Sequence, residues 1–330
     1  MKTTTTLKRW WADLRLIMLA CLFGASVFRT HAQLPNLYSF TSVTTTYTPI
    51  TGGSVLGVAT NDDDNFDALP IGFTFTYNGS QFTTASVNAN GFLALGGAVV
   101  SSYNALSTGT SNNVVAAFNN DLQGLATVGN LRYETIGTSP NQVFVVQWTN
   151  YKRYGSANNL DSFDFQIRLN EGTNVIQFVY GRIIKNPTNT TVQVGLRGSS
   201  AAVFNNRTSA TSWTATTAGT LNSSTVALTT SITPPVGLTY TYTPPVAALP
   251  TVSTGNYSNV TTSQVTLNAI VGTQNFPAVT SSGIVVGTSA NPSIGGFGVI
   301  DSTTNPVVTS GGFSRTITGL NTGTTYYYRA

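Results

Sequence analysis

Residues 71–95 constrain the fold of this 330-residue chain more than any other stretch. Apolar and small residues alternate along the first part with the period of a strand that has one buried face, at Ile71, Phe73 and Phe75. Asn78 and Gly79 follow, and they predict a type I′ hairpin turn because both tolerate positive φ. The chain then returns and, after a second turn, enters the apolar run 92–95. The apolar faces of these predicted strands need a second sheet to cover them, so the stretch predicts a β-sandwich.

The rest of the sequence continues this pattern of short strands and turns. β-Branched residues are abundant, strong helix formers are sparse, and turn residues recur roughly every eight to twelve residues. In the clearest strand, residues 162–169, alternate residues Phe163, Phe165, Ile167 and Leu169 are predicted to face inward, and Asp164, Gln166 and Arg168 outward. Further strands are predicted over residues 37–50, 55–59, 113–118, 130–136, 142–149, 175–180, 192–196 and 238–242. We therefore predict an all-β fold.

Residues 1–32 are predicted to be a signal peptide. A basic segment precedes an apolar run that is too short to span a bilayer comfortably, and small residues before Gln33 suit a signal peptidase. An uncleaved membrane anchor and lipidation at Cys21 are the alternatives. The prediction implies a secreted or cell-surface protein without a membrane span after cleavage.

Removing residues 1–32 changes the charge of the chain. That segment holds five of the 15 Lys and Arg residues and one of the 11 Asp and Glu residues, so the remainder has no formal net charge. Nucleic acid is not an expected partner, because phosphate binding needs a basic surface. The only cysteine, Cys21, and the only histidine, His31, also lie there. Disulfides, Cys or His catalysis and ordinary zinc sites are thereby excluded from the exported chain.

Two domains are predicted. Residues 33–243 form the β-sandwich, residues 244–250 a stiff Pro-rich linker, and residues 251–330 a second β-module. The chain stops within a predicted strand, so we expect it to be the N-terminal part of a longer protein.

The second module resembles a fibronectin type III-like domain of the bacterial surface type, an immunoglobulin-like sandwich. Residues 263–267 match an early core strand, and the spacing from Leu320 to Tyr326 matches the family pattern. The resemblance implies that Tyr326 is a tyrosine-corner residue whose hydroxyl bonds to nearby backbone. The usual tryptophan is absent and later strands are missing, so the module is expected to be incomplete.

The first domain resembles the extracellular β-domain that opens many secreted multi-modular proteins of Bacteroidetes-type bacteria. It is also similar to the nidogen-like extracellular domain of animal adhesion proteins. The matching segments are 71–75, 87–92, 114–118 with Asp121, 143–148 and 163–169. The resemblance implies adhesion or architecture outside the cell and, in bacteria, type IX secretion.

An acidic loop offers a candidate calcium site. Four carboxylates lie within residues 61–67, and Asp62, Asp64 and Asp67 are the predicted ligands because they converge from one tight turn. Backbone carbonyls and water would complete the oxygen shell that Ca²⁺ requires. The loop lacks the glycine and distal glutamate of an EF-hand, and a solvated turn without metal is the alternative.

Two other groups of residues are candidate sites. Trp148, Tyr151 and Tyr154 lie beside two cations and are a candidate ligand-binding surface that would stack on sugar rings. The alternative places Trp148 in the core. The acidic residues Asp161, Asp164 and Glu171 are not interpreted as a glycosidase pair, because Asp164 faces out of a strand and Glu171 lies in a turn, the usual places for surface charge. Arg168, on the same face as Asp164, is expected to form a cross-strand or surface ion pair.

These observations predict a non-catalytic extracellular or cell-surface module for adhesion or structure, within a larger secreted protein. Its partner would be an extracellular protein or a glycan surface. The alternative is a carbohydrate-binding accessory region of a secreted hydrolase whose catalytic domain lies beyond residue 330.

Overall fold

The computed structural model describes residues 35–155, 160–245, 251–272, 279, 281–296, 298–303 and 307–330. The predicted signal peptide and residues 246–250 of the predicted linker lie outside these ranges. The fold is all-β, as predicted, and its strands pair into four antiparallel sheets. No helix of the described residues combines the length and apolarity needed to cross a membrane.

In the described part of the chain, a 3₁₀ turn, Pro35–Leu37, precedes the strands. The strands are β1 (Ser39–Thr44), β2 (Ser54–Val55), β3 (Asn65–Tyr77), β4 (Ser80–Asn88), β5 (Phe92–Leu95), β6 (Val114–Asn119), β7 (Leu122–Gly124), β8 (Asn130–Ile136), β9 (Val143–Arg153), β10 (Ser162–Asn170), β11 (Ile176–Ile184), β12 (Thr190–Arg197), β13 (Phe204–Thr208), β14 (Thr217–Ala218), β15 (Val226–Leu228), β16 (Leu238–Thr243), β17 (Val252–Ser258), β18 (Gln264–Val271), β19 (Gly283–Gly287), β20 (Ile300–Thr303), β21 (Gly311–Thr318) and β22 (Tyr327–Arg329).

Two eight-stranded sheets form the sandwich. The first has the order β1-β16-β11-β10-β9-β8-β2, with β7 paired to β9. The second has the order β14-β13-β12-β6-β5-β4-β3, with β15 paired to β12. The predicted hairpin joins β3 to β4, and its turn residues Asn78 and Gly79 have φ of 48° and 77°. The sequence prediction of this turn is therefore confirmed.

One hydrophobic core lies between the two sheets and draws buried residues from both. The predicted inward residues of β10 are all fully buried: Phe163, Phe165, Ile167 and Leu169. Aromatic rings stack through the centre, where Phe118 of β6 packs against Phe165 at 5.2 Å and against Trp213 at 5.8 Å between ring centroids. The contact between β6 and β10 joins the two sheets, because these strands belong to different ones.

Residues 45–53, which we call the strap, do not form the strand that the sequence predicted for part of this segment. The predicted strand over residues 37–50 ends at Thr44, and the chain then runs to β2 without forming a strand. The Gln166 side chain donates to the carbonyl of Thr48 at 3.0 Å, and Gln147 exchanges hydrogen bonds with the backbone of Ile50. Gln166 was predicted to face solvent, but it is fully buried.

The second module contains two three-stranded sheets, β17-β18-β21 and β20-β19-β22. They share a small core made of Leu267, Ala269, Ile284, Val286 and Ile317. The hydroxyl of Tyr326 accepts a hydrogen bond from the backbone N–H of Asn321 at 3.1 Å. This is the type of backbone contact that the resemblance implied for Tyr326.

Candidate metal centre

The centre forms at one end of the sandwich, where the β3–β4 ladder ends with the pair Asn65 and Asn88. Asp62 and Asp63 lie in the loop that enters β3, and Asp121 lies between β6 and β7. One carboxylate oxygen from each of these three residues lies within 4.8 Å of the other two. Oxygens that bind one Ca²⁺ at about 2.4 Å are separated by no more than about 4.8 Å. The three carboxylates are thus close enough to share an ion.

Polar side chains fix the orientation of Asp63. Its Oδ1 accepts hydrogen bonds from Asn90 Nδ2 and Ser101 Oγ, both at 2.8 Å. Its Oδ2 accepts a hydrogen bond from the Tyr103 hydroxyl at 3.2 Å. Because three donors from two separate loops bind it, the carboxylate is held before any ion arrives.

Buried asparagine amides form the floor of the centre. Asn90 Oδ1 accepts the backbone N–H of Leu122 at 2.6 Å, and Asn119 Nδ2 donates to the carbonyls of Asn90 and Ser102. Asn88 Nδ2 donates to the carbonyls of residues 63 and 64. These amides satisfy backbone groups that no strand partner reaches, and they therefore define the loop conformation.

Two carboxylate oxygens of the centre have no hydrogen-bond donor. Asp62 Oδ1 and Asp121 Oδ1 are both buried atoms without a partner. Burial, together with the weaker repulsion from Asp63, Asp121 and Asp64, raises the pKa of Asp62 to about 6, while Lys152 opposes the shift. Burial and then Asp63 also raise the pKa of Asp121. A cation at this position would supply what both oxygens lack.

The structure changes the predicted ligand set. Asp62 is retained, but Asp64 Oδ2 accepts the backbone N–H of Asp62 at 3.2 Å and Asp67 Oδ1 accepts that of Val99 at 2.8 Å. Asp67 lies within β3, because the strand begins earlier than expected. Its carboxylate binds the chain beside β5 rather than turning back to the loop.

Sequence reasoning missed Asp63 and Asp121 as members of the centre. Asp63 was recognised as part of the acidic loop but was not selected as a ligand. One sequence feature pointed to Asp121, namely its position just after the apolar strand 114–118 that matches the nidogen-like domain. Only the tertiary fold brings it within reach of residue 62.

The predicted aromatic surface is wrong for two of its three residues. Trp148 and Tyr151 are fully buried. The Trp148 ring stacks on Phe165 at 4.9 Å, and its Nε1 donates to the carbonyl of Ala89 at 3.1 Å. Only Tyr154 is open to solvent, with 56% of its surface exposed. Alternation alone would place Trp148 and Tyr151 on opposite faces of β9, but a bulge between them, where β9 pairs with β10, turns both rings into the core. The three residues therefore cannot form one platform.

The acidic residues Asp161 and Glu171 have structural partners. Asp161 is fully buried between Arg153 and Lys185. Glu171 accepts hydrogen bonds from the Ser139 hydroxyl and the Gln142 backbone N–H.

Asp164 and Arg168 lie on one face of β10, where Arg168 was expected to form a cross-strand or surface ion pair. Asp164 Oδ1 accepts the backbone N–H of Asn150 at 2.7 Å, and its Oδ2 lies 3.8 Å from Arg182. Arg168 Nε instead donates to Gln166 Oε1 at 2.8 Å. The neighbouring strand β11, rather than the next outward residue of β10, supplies the cation.

A comparison with protein families agrees with the architecture. The model of the NIDO-related family matches residues 37–244, which is more than half of the chain. The chain belongs to the NIDO-related family. The NIDO-related match supports the nidogen-like β-domain and includes all three carboxylates of the centre. Searches of curated proteins and of solved structures found no match.

Proposed function

We propose that this NIDO-related chain is a non-catalytic extracellular module for adhesion or structure, whose loop end binds Ca²⁺. The observation that carries the calcium proposal is the pair of buried oxygens without donors, Asp62 Oδ1 and Asp121 Oδ1, beside Asp63. Unpaired buried carboxylate oxygens are costly, and a cation removes that cost.

Calcium suits this donor set better than softer metals. The three side chains offer only hard oxygen atoms, and Ca²⁺ accepts six to eight such ligands in irregular geometry. Neighbouring backbone carbonyls and water would complete the shell. Extracellular calcium modules commonly bind with a Kd of about 10⁻⁴ to 10⁻³ M, so a site with three carboxylates need not be tight.

The family supports an extracellular module, and the partners of the acidic residues support a non-catalytic one. Asp161 and Glu171 are committed to structural contacts. We propose an extracellular protein or a glycan surface as the partner. The accessory carbohydrate-binding alternative loses its original support, because Trp148 and Tyr151 are buried.

We also propose the finer organisation that the sequence suggested. The protein would be bacterial, with residues 1–32 as its signal peptide, and would reach the cell surface by the type IX route. Residues 251–330 would be a fibronectin type III-like domain. The hydrogen bond of Tyr326 to Asn321 and the two three-stranded sheets support that assignment.

Thermal melts in Ca²⁺ and in chelator test the calcium proposal. At about 100 times Kd, ligand linkage stabilises the folded state by roughly 2.7 kcal/mol. For a domain of about 200 residues this raises Tm by about 5–10 °C. We expect Asp121→Asn and Asp63→Asn to abolish most of the increase.

Asp64→Asn is the matched control, because Asp64 lies in the same loop but outside the three-carboxylate group. It should keep the wild-type response to Ca²⁺. A wild-type Tm that is equal in both buffers up to millimolar Ca²⁺, or a response lost only in Asp64→Asn, contradicts the proposed centre.

A further inference from the structure

The strand β1 lies at one edge of the first large sheet. A strand at the edge of a sheet presents a row of unpaired N–H and C=O groups, to which another strand can bond. Natural proteins protect such edges with very short strands, bulges, Pro or charged side chains. The edges of the two large sheets differ in how far they carry these protections.

The other edge strands of the sandwich are protected in the described part of the chain. The strands β2, β7, β14 and β15 have two or three residues each, which is too short to guide another strand. The strand β3 is long, but it contains Pro70 and its register with β4 shifts twice. Side chains also engage its backbone. Thr135 Oγ1 donates to the carbonyl of Ile71 at 2.7 Å, and the N–H of Thr76 donates to Asn174 Oδ1 at 2.7 Å.

The strand β1 has none of these protections. Its six residues pair with β16 without a register shift, and no second strand of the described residues pairs with it. It contains no Pro, no Gly and no charged residue. Phe40 fixes the strand from the inner side, because its ring packs edge-on against Tyr240 and Tyr242. The guanidinium carbon of Arg207 lies 3.8 Å from the centre of the same ring. The edge is therefore ordered before a partner strand arrives.

Charge and symmetry indicate a second copy of this chain as the partner. Neither β1 nor its neighbour β16 contains a charged residue, so two copies can meet there without like-charge repulsion. Ser39, Thr41 and Val43 are exposed and alternate along one face of β1. Antiparallel pairing about a two-fold axis at Thr41 places this residue opposite its own copy, and Thr–Thr pairs stabilise neighbouring strands. We propose that β1 pairs with β1 of a second copy and thereby joins two copies of the first sheet.

This inference rests on the proposed adhesive function for its biological meaning, and it deepens that function by naming one partner. A strand of six residues is about 20 Å long, so the interface is small and the pairing is weak. Weak pairing suits a module displayed in many copies on one surface, because multivalent display raises the effective concentration. The pairing needs no Ca²⁺, since the three carboxylates of the metal centre lie outside β1 and β16.

Sedimentation equilibrium of the purified chain, from about 10 µM to about 1 mM with chelator present, tests the pairing. With a Kd of about 0.1 mM, most of the chain is dimeric at the highest concentration. Thr41→Lys should keep the chain monomeric throughout, because it places like charges opposite each other at the edge. Thr74→Lys is the matched control, since Thr74 is an exposed threonine of the protected strand β3. It should leave dimerisation unchanged.

Thiol cross-linking locates the contact. A Cys21→Ser background removes the only native cysteine. In that background, Thr41→Cys should give covalent dimers with a short bis-maleimide, and Thr74→Cys should not. A wild-type chain that stays monomeric at about 1 mM, dimers that persist in Thr41→Lys, or equal cross-linking of the two cysteines would overturn the proposal.

Beads coated with the chain separate this proposal from the adhesive function itself. We expect wild-type beads to clump in chelator and Thr41→Lys beads to stay dispersed. Clumping that is equal for the two proteins would support adhesion but contradict pairing through β1. Dimers in solution without clumping of the beads would support the pairing and contradict its adhesive role.

Discussion

Asp161 is, of the charged residues that the structure describes, the most deeply buried. Its Oδ2 lies 2.8 Å from Arg153 Nε and its Oδ1 3.5 Å from Lys185 Nζ, and the side chains of Asp161 and Lys185 are fully buried. Burial lowers the pKa of Lys185, and the carboxylate of Asp161 opposes that shift. Such a group stabilises the fold only while all of its charges are matched.

We predict that Asp161→Ala destabilises the chain by about 3–5 kcal/mol, because it leaves two cations without a counter-ion. Urea unfolding measures the loss. Asp64→Ala is the control, since an exposed substitution usually changes stability by no more than about 0.5 kcal/mol. Equal unfolding midpoints for the two variants would mean that the buried charges contribute nothing.

The metal-free protein should show the raised pKa of Asp62 in its stability. A carboxylate whose folded pKa of about 6 exceeds its unfolded value favours folding when protonated. This contribution is complete below about pH 4 and is lost as pH rises through about 6. In metal-free buffer, we therefore predict that wild type loses stability relative to Asp62→Asn between about pH 4 and 7. Urea unfolding at several pH values tests this, and a constant difference between the two proteins would contradict it.

The acidic loop illustrates what a sequence can specify about a site. Adjacent carboxylates in residues 61–67 drew attention to the loop that supplies two members of the three-carboxylate group, because acidic residues in one turn are a local pattern. Which carboxylates converge depends on where β3 begins and on Asp121, which lies far along the chain. Such a choice is made by tertiary packing, so local spacing could not predict it.

Gly91 is required by the turn between β4 and β5. Its φ is +80°, and an added Cβ would lie 2.3 Å from the carbonyl oxygen of Phe118. We predict that Gly91→Ala costs more than about 2 kcal/mol, because positive φ alone costs an L-residue about 1–2 kcal/mol and the contact with β6 adds to it. Gly97→Ala is the matched control, since a Cβ there meets nothing within 4 Å. Thermal melts should separate the two variants clearly, and similar Tm values would contradict this account of the turn.

Strands with strong alternation were predictable, and short or irregular segments were not. β10 was predictable from its two-residue alternation of apolar side chains, and the β3–β4 hairpin from that alternation and its turn residues. The strands β13, β14 and β15 show only weak alternation of apolar residues in the sequence. β13 and β15 pair with β12, β14 pairs with β13, and Trp213 packs in the core beside them. The strap lacks a strand partner for residues 45–53, and glutamines from two other strands hold it instead. These long-range contacts carry no local signal.

Residues 33–243 contain both large sheets and the whole of their shared core. We predict that this segment, expressed alone, gives a β-type circular dichroism spectrum and one cooperative melt. Reductant should not shift the melt, because the only cysteine, Cys21, lies outside the segment. Substantial helix, or a gradual loss of signal on heating, would contradict an independent sandwich.

The asparagine and glutamine amides that hold the loops and the strap have a consequence for the conditions that the fold tolerates. Amides carry no charge and do not titrate, so their hydrogen bonds are indifferent to acidity and are little screened by salt. With only 8% of its residues charged, the chain relies on such neutral contacts for much of its internal order. A module that we propose to work outside the cell is exposed to changes in salt concentration and pH. The neutral contacts would be little changed by those conditions, whereas the three-carboxylate centre and the ion pairs of the fold would respond to them.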